Sequence, residues 1–320
     1  MGLIRQPVKF LLFLYFFSGV WAKAQVYTDK PVVLNTETGK IHGTLCHPEE
    51  GKSWPVVLII AGSGPTDRNG NNPLGGICNN LQMLAHGLAE NGIASLRYDK
   101  RGIGERKEAG LEEKDLRFDM YVEDAESWLS YLKKDKRFTK FIIAGHSEGS
   151  LIGMLAASHM EGISFISMAG AGYGADSLIQ EQVCKNSPTL CAESKEIIQK
   201  IKAGETVESM SFSLQSLFRK SVQPYLSNWF QYDPAKVIAT LKSPVLIIQG
   251  TNDLQVPADH ADILHAACPQ SEISVFEEMS HILKPAPEDK ARNFATYNDP
   301  KLQLTTGLVP RIVAFISTLP

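Results

Sequence analysis

The chain has 320 residues, 43% hydrophobic and 21% charged, enough apolar material for a sizeable core in one large domain or two medium ones. Its net charge of −3 comes without a basic block. That removes any electrostatic case for nucleic acid or an anionic membrane surface as partner.

Taken in chain order, residues 1–24 stand apart from any fold. Arg5 and Lys9 give a positive start, and the apolar run at 10–20 is short for a bilayer span. Ala22-Lys23-Ala24 is a small-x-small cleavage signal that makes Gln25 the mature N-terminus. The segment reads as a secretory signal peptide, the alternative being an uncleaved anchor. No cysteine sits at the cleavage point, which argues against a lipoprotein. Cleavage removes Arg5, Lys9 and Lys23 and takes the net charge from −3 to −6. The expected location is exported, periplasmic or secreted, with no stable membrane association afterwards. Export permits disulfides. Among the five cysteines, Cys184 and Cys191 flank a turn-forming segment and are expected to be bridged. The odd count leaves at least one free thiol, and the pairing of Cys46, Cys78 and Cys268 stays open. No cysteine or histidine pair has zinc spacing, so no metal is expected.

Residues 31–45 read as a hairpin turning at Glu37-Thr38-Gly39. Residues 55–61 form an apolar strand that runs into the glycine- and asparagine-rich loop 62–72, and 79–91 has helical spacing. A strand at 93–98 ends in Asp99-Lys100-Arg101-Gly102, and 120–132 is amphipathic, with Val122, Ala125, Trp128 and Leu129 on one face. The apolar run 141–144 then meets Gly145-His146-Ser147-Glu148-Gly149 and a small-residue helix. In that setting Gly-x-Ser-x-Gly reads as a nucleophile elbow that lifts Ser147 above the sheet edge. A strand at 163–168 follows.

This strict alternation implies right-handed crossovers and a parallel sheet. Residues 173–241 break it with no convincing strand and helical stretches at 193–201 and 212–230. At roughly 70 residues it is far longer than an ordinary connection and is expected to form a helical lid. The alternation resumes with a strand at 244–250, a helix at 258–267, a strand at 273–276 and a final helix at 307–319. The expected layout is a signal peptide at 1–24, an α/β core at 25–172 and 242–320, and the cap at 173–241.

A serine hydroxyl needs a histidine to take its proton and a carboxylate to orient that histidine. Asp253 follows the strand ending at Gly250, and His281 follows the strand ending near Glu277, in the order Ser, Asp, His. Both lie past strand carboxyl ends, where open α/β sheets place their sites. Asp253 alone would read equally as a turn aspartate. His260 and His265 compete with His281 but sit on the expected helix as surface or packing residues, and His146 reads as a filler pointing away from the hydroxyl. The oxyanion donors are expected to be the N–H groups of Glu148 and, in the loop after the first apolar strand, Ser63, with Gly62 the neighbouring alternative. The Glu148 side chain alternatively reads as a first-turn helix acid.

These residues together resemble the α/β-hydrolase superfamily. The resemblance rests on the Gly145–Gly149 elbow, Arg97-Tyr98-Asp99-Lys100-Arg101-Gly102, Gly250-x-x-Asp253-x-x-Val256-Pro257 and Ser280-His281. The loop Gly62-Ser63-Gly64-Pro65-Thr66-Asp67-Arg68-Asn69-Gly70-Asn71 and Tyr232-Asp233-Pro234 are more specific, and look like the bacterial serine aminopeptidase-like branch with its carboxylesterases. The resemblance spans about 30–318. It implies an eight-stranded sheet, a helical cap after the sixth strand, and Ser147, Asp253 and His281 as triad. The usual His-Gly of the oxyanion loop is Ala61-Gly62 here.

The expected activity is a serine hydrolase cleaving small-molecule carboxylic esters, without metal or organic cofactor. Rivals with the same machinery are a thioesterase and an aminopeptidase, the latter needing a lid acid such as Glu181, Glu193 or Glu196 to hold an amine. A rival of another class is a binding protein on the same scaffold. One or two of Phe218, Tyr225, Leu226, Trp229 and Phe230 are candidates to wall an acyl pocket, with the others packing the lid. The sequence leaves the physiological substrate and oligomeric state open.

Overall fold

The computed structural model describes residues 26–51, 53–104 and 109–320, and Gly2. The expected signal peptide therefore lies outside the described residues apart from Gly2. Among the described residues no helix is long and apolar enough to cross a membrane.

Among the described residues, eight strands form one sheet in the order β1-β2-β4-β3-β5-β6-β7-β8. Strands β1 (Tyr27–Thr36) and β2 (Gly39–Pro48) are the expected hairpin, turning at Glu37 and Thr38. β2 pairs antiparallel with β4 (Ala94–Tyr98). From β4 onward every pairing is parallel, through β3 (Trp54–Ile60), β5 (Phe138–His146), β6 (Ile163–Met168), β7 (Val245–Gly250) and β8 (Glu272–Phe276).

The apolar runs have a simple origin. Alternate residues of a strand point to opposite faces, and here both faces are covered. Val56, Leu58 and Ile60 of β3, Ile143 of β5 and Ile247 of β7 face one layer. Helices α2 (Phe118–Lys133), α3 (Glu148–His159) and α9 (Asp259–Ala267) cover it, with Trp128, Leu129, Met154 and Leu264 in contact. Val57, Ile59, Ile142 and Ile248 face the other layer, under α1 (Asn80–Glu90) and α11 (Leu308–Thr318).

Between β6 and β7 the described backbone holds helices only. These are α4 (Ala175–Asn186), α5 (Cys191–Lys202), α6 (Phe212–Phe218), α7 (Gln223–Trp229) and α8 (Pro234–Ile238), with short 3₁₀ turns between some of them. Two departures from expectation lie here. α4 carries little periodic signal, since only Ala175 and Val183 of it are buried. The single helix expected at 212–230 is two helices, because Arg219 is extended (φ −49°, ψ 147°) and its guanidinium engages Glu113 of the body. Pro224, in the first turn of α7, has no N–H with which to continue a preceding helix. A third departure is α10 (Lys290–Ala295), whose six residues bury only Asn293 and so show no period.

The lid carries the Cys184–Cys191 disulfide that was expected; Cys46, Cys78 and Cys268 are free and buried. Phe218, Leu226 and Phe230 belong to the lid's own core with Ile197, Ile201 and Leu214.

Candidate active site

Ser147 sits between β5 and α3 at φ 55° and ψ −122°, a conformation that side-chain-bearing residues rarely adopt. The two glycines make the turn possible. A Cβ on Gly145 would come within 2.2 Å of the Gly149 carbonyl oxygen, and one on Gly149 within 2.5 Å of the Ile60 carbonyl oxygen. The strained serine is therefore enforced by packing on both sides of the elbow.

Asp253 and His281 come together from the loops after β7 and β8. His281 Nδ1 lies 2.8 Å from Asp253 Oδ2, with both side chains buried. Asp253 also satisfies the turn reading, through its other oxygen. Oδ1 accepts from the backbone N–H groups of Gln255 and Val256, at 2.8 Å each. Gln249, inside β7, donates to Oδ2 at 3.2 Å. One carboxylate oxygen thus fixes the loop and the other faces the imidazole. A proton on Nδ1 leaves Nε2 as the basic nitrogen of the neutral ring. Among the described residues no hydrogen bond joins Ser147 to His281.

His146 does more than fill space. Its Nε2 lies 2.7 Å from the carbonyl oxygen of His281, and the two rings are 4.9 Å apart. The residue before Ser147 therefore holds the backbone of the candidate base. Since a carbonyl only accepts, Nε2–H is the donor, and burial, followed by the nearby His281, pushes His146 down to about 4. The competing histidines are elsewhere. His260 is buried and accepts from the Gly172 N–H at 2.8 Å, with its ring 4.4 Å from that of Tyr173. His265 pairs with Ser271 Oγ at 2.9 Å.

The expected oxyanion loop lies against the nucleophile. A Cβ on Gly62 would stand 3.2 Å from Ser147 Cβ and 3.2 Å from His146 Nδ1, so the loop approaches as closely as a glycine allows. Ser63 is exposed. The loop is tied to the end of β4 at three places. Arg97 Nε donates to Asn69 Oδ1 at 3.0 Å, Arg68 pairs with Asp99 at 2.9 Å, and Lys100 Nζ donates to the Gly62 carbonyl at 2.6 Å. Glu148 is no solvated first-turn acid. It is buried, paired with Lys100 at 2.7 Å and accepting from Tyr225 of the lid at 2.5 Å. The contacts of Lys100 and Tyr225 with Glu148, and the role of His146, were not read from the sequence, where Tyr225 reads only as a pocket wall or lid-packing residue. For Lys100, its place just past a strand's carboxyl end was the available signal.

A cavity of about 510 Å³ is lined by Leu254, Gln255 and Pro257 after Asp253, but by none of Ser147, Asp253 and His281. Leu178, Glu181 and Lys185 of α4, and Tyr297, also line it. None of the five lid residues considered as pocket walls is among its lining. Of the three candidate lid acids, Glu193 bonds Ser211 and Glu196 bonds Lys200, while Glu181 faces the cavity with its carboxylate on the Tyr173 hydroxyl.

Asp29, Cys46 and His86 place three potential metal donors within 4.8 Å of one another. They do not fit a cation. Arg97 already holds the Asp29 carboxylate through two nitrogens, at 3.2 and 2.9 Å. Burial, with Asp29 beside it, pushes the Cys46 thiol up to about 12, so it offers no thiolate.

Comparison with known proteins extends the picture. The family model described as serine aminopeptidase, S33, matches residues 74–203, which includes Ser147 and stops before Asp253 and His281. No curated protein matches the chain in sequence. Among solved structures, Est1E from Butyrivibrio proteoclasticus aligns with a TM-score of 0.57 at 17% identity, over 90% of this chain and 99% of that one. The esterase PF2001 of Pyrococcus furiosus aligns with a TM-score of 0.57 at 15% identity, over 92% of this chain and 91% of that one. The acylaminoacyl peptidase of Pyrococcus horikoshii aligns with a TM-score of 0.53 at 16% identity, over 81% of this chain and 38% of that one. At these identities the likeness is one of fold.

Proposed function

We propose, with the α/β-hydrolase fold as premise, that this chain is an exported serine hydrolase of carboxylic esters. One observation carries the reading. The buried Asp253–His281 pair stands on loops at the sheet's carboxyl edge, and His146 ties its backbone to the strained Ser147 turn.

Ser147 Oγ attacks the acyl carbon while His281 Nε2 takes its proton, and Asp253 stabilises the imidazolium through Nδ1. The N–H groups of Ser63 and Glu148 hold the tetrahedral oxyanion. Collapse breaks the bond to the alcohol, which leaves with the proton from His281. Water repeats the sequence on the acyl-enzyme and releases the acid. The Cys184–Cys191 disulfide supports an oxidising destination.

A second reading has one observation in its favour: Glu181 faces the cavity and offers a carboxylate to a free amine, as an aminopeptidase would need. Lys185 and Lys290 line the same cavity and oppose an ammonium there. Short-chain nitrophenyl esters assayed against aminoacyl nitroanilides separate the two. Turnover of the esters, lost in Ser147→Ala, is the expected result; turnover of the anilides alone would replace it with the second reading.

A further inference from the structure

We propose that Lys100 is a positioning residue that braces both oxyanion donors, and that the lid reaches this brace through the Tyr225 hydroxyl. The inference rests on the serine-hydrolase reading above. It begins with topology. The strand order places β4, β3 and β5 side by side, so the residues just past their carboxyl ends become neighbours although far apart in sequence. Lys100 follows β4, Gly62 follows β3 and Glu148 follows β5.

Lys100 is 3% exposed. Its Nζ lies 2.6 Å from the Gly62 carbonyl oxygen, 2.7 Å from Glu148 Oε2 and 5.2 Å from the centroid of the Tyr121 ring. An ammonium has three hydrogens and no acceptor, so two point at the oxyanion segment and one is left for the ring face. Burying such a pair is a weak way to gain stability, because desolvation offsets most of the attraction. What the pair does set is direction. A trans peptide is planar, and its C=O and N–H point opposite ways. A charge-assisted bond to the Gly62 carbonyl therefore fixes where the Ser63 N–H is aimed, at a segment already packed against Ser147 Cβ. The same ammonium holds the Glu148 carboxylate, whose own backbone N–H is the second donor. Tyr225 closes the set by donating to Glu148 Oε1 at 2.5 Å. Oxyanion donors act through preorganisation, so a loosened brace weakens the transition state more than the ground state.

The test uses Lys100→Met in the full chain, with kcat and KM on nitrophenyl butyrate and the inhibition constant of a trifluoromethyl ketone that adds to serine as a tetrahedral anion. Losing a whole donor costs on the order of 10²–10³-fold in kcat, and a donor that is present but unbraced should cost roughly 10- to 100-fold. KM is expected to stay within about threefold, and affinity for the ketone to weaken by the same factor as kcat/KM. Because Lys100→Met strands a buried carboxylate, Lys100→Met/Glu148→Gln is measured beside it and is expected to show the same kinetic loss with a higher melting temperature. A folded variant with unchanged kcat overturns the proposal. So does a fall in kcat with unchanged ketone affinity, since that would leave Lys100 a merely structural role. The underlying reading fails differently: wild-type protein would then not turn over the ester at all, or Ser147→Ala would turn it over as fast as wild type.

Discussion

The sheet body and the helical lid are held by different forces. In the body, strands buried on both faces supply a core in which Leu58, Ile60, Ile142 and Ile247 are essentially inaccessible. Their parallel register puts the ends of β3, β4, β5, β7 and β8 on one edge, and the candidate chemistry stands there. The lid has its own small core around Phe218 and Ile201, and meets the body through polar side-chain bonds as well as through Ile238 and Leu241, which are buried in the body's core. Asn228 both accepts from the Asp119 N–H and donates to its carboxylate, at 2.9 Å each, and Tyr232 donates to the same carboxylate at 2.6 Å. Phe118 adds an aromatic contact, its ring stacked on Trp229 at 5.7 Å and 5.6 Å from Tyr232. A site built on the body is fixed by packing that tolerates little change. A lid joined by side-chain contacts can vary without unfolding the body, which suits selection of substrates better than chemistry.

The largest expected effect breaks the body side of this comparison. Ser147→Ala should lower kcat on the order of 10⁴-fold or more at every acyl length, and so should His281→Ala. Loss of fluorophosphonate labelling in Ser147→Ala, with an unchanged melting temperature, is the check. Labelling that persists would move the nucleophile elsewhere.

The next effect is on stability and again belongs to the body. His146 ordinarily titrates near 6.5 and is held at about 4 in the folded chain by burial and by His281. Its folded value lies below its unfolded one, so the unfolded chain binds the extra proton. The contribution is complete above about pH 6.5 and disappears as pH falls towards 4, amounting to about 3 kcal/mol. His260, lowered in the same direction by burial, adds to it. Asp124 works oppositely. Burial raises it to about 6 against the pull of Arg101, so its share falls as pH rises through that range. The measurement is therefore a difference: urea melts from pH 4 to 8 for wild type and His146→Asn. The wild-type curve should lose about 3 kcal/mol more on acidification; parallel curves would remove His146 from the account.

A smaller effect belongs to the lid. The Cys184–Cys191 bond closes a short loop, for which chain entropy gives about 2 kcal/mol. Cys184→Ser/Cys191→Ser should raise proteolysis and hydrogen exchange within 175–202 while kcat changes less than about twofold. A loss of kcat to match would show that lid order is part of the chemistry.

What was legible in the sequence divides along the same line. The elbow was readable because strand, turn and helix are contiguous at 138–159, and Asp253 and His281 stood out because each lies shortly past the end of a strand, β7 and β8. The lid was only half readable. Its shorter helices bury too few residues to show a period, and the extended Arg219 that separates α6 from α7 has its guanidinium on Glu113, more than 100 residues away. The Lys100–Glu148–Tyr225 contact was out of reach for the same reason. Each residue has an ordinary local reading, and only the β4-β3-β5 order makes the first two neighbours.

The smallest expected effect sharpens the comparison most, because it lies where lid and body touch. Tyr225→Phe keeps the ring among Phe118 and Tyr121 and removes only the hydroxyl that donates to Glu148. Lys100 still holds the other carboxylate oxygen, so the pair survives. One hydrogen bond contributes about 0.5–1.5 kcal/mol, so kcat should fall by roughly 2- to 10-fold. A pocket wall behaves differently: trimming it shifts discrimination between acyl lengths by about 1–3 kcal/mol. Nitrophenyl esters from acetyl to octanoyl therefore give the decisive pattern. A uniform drop across lengths means the lid touches the chemistry through Glu148. A drop that depends on length would make Tyr225 part of the wall, and leave the body alone in charge of the oxyanion.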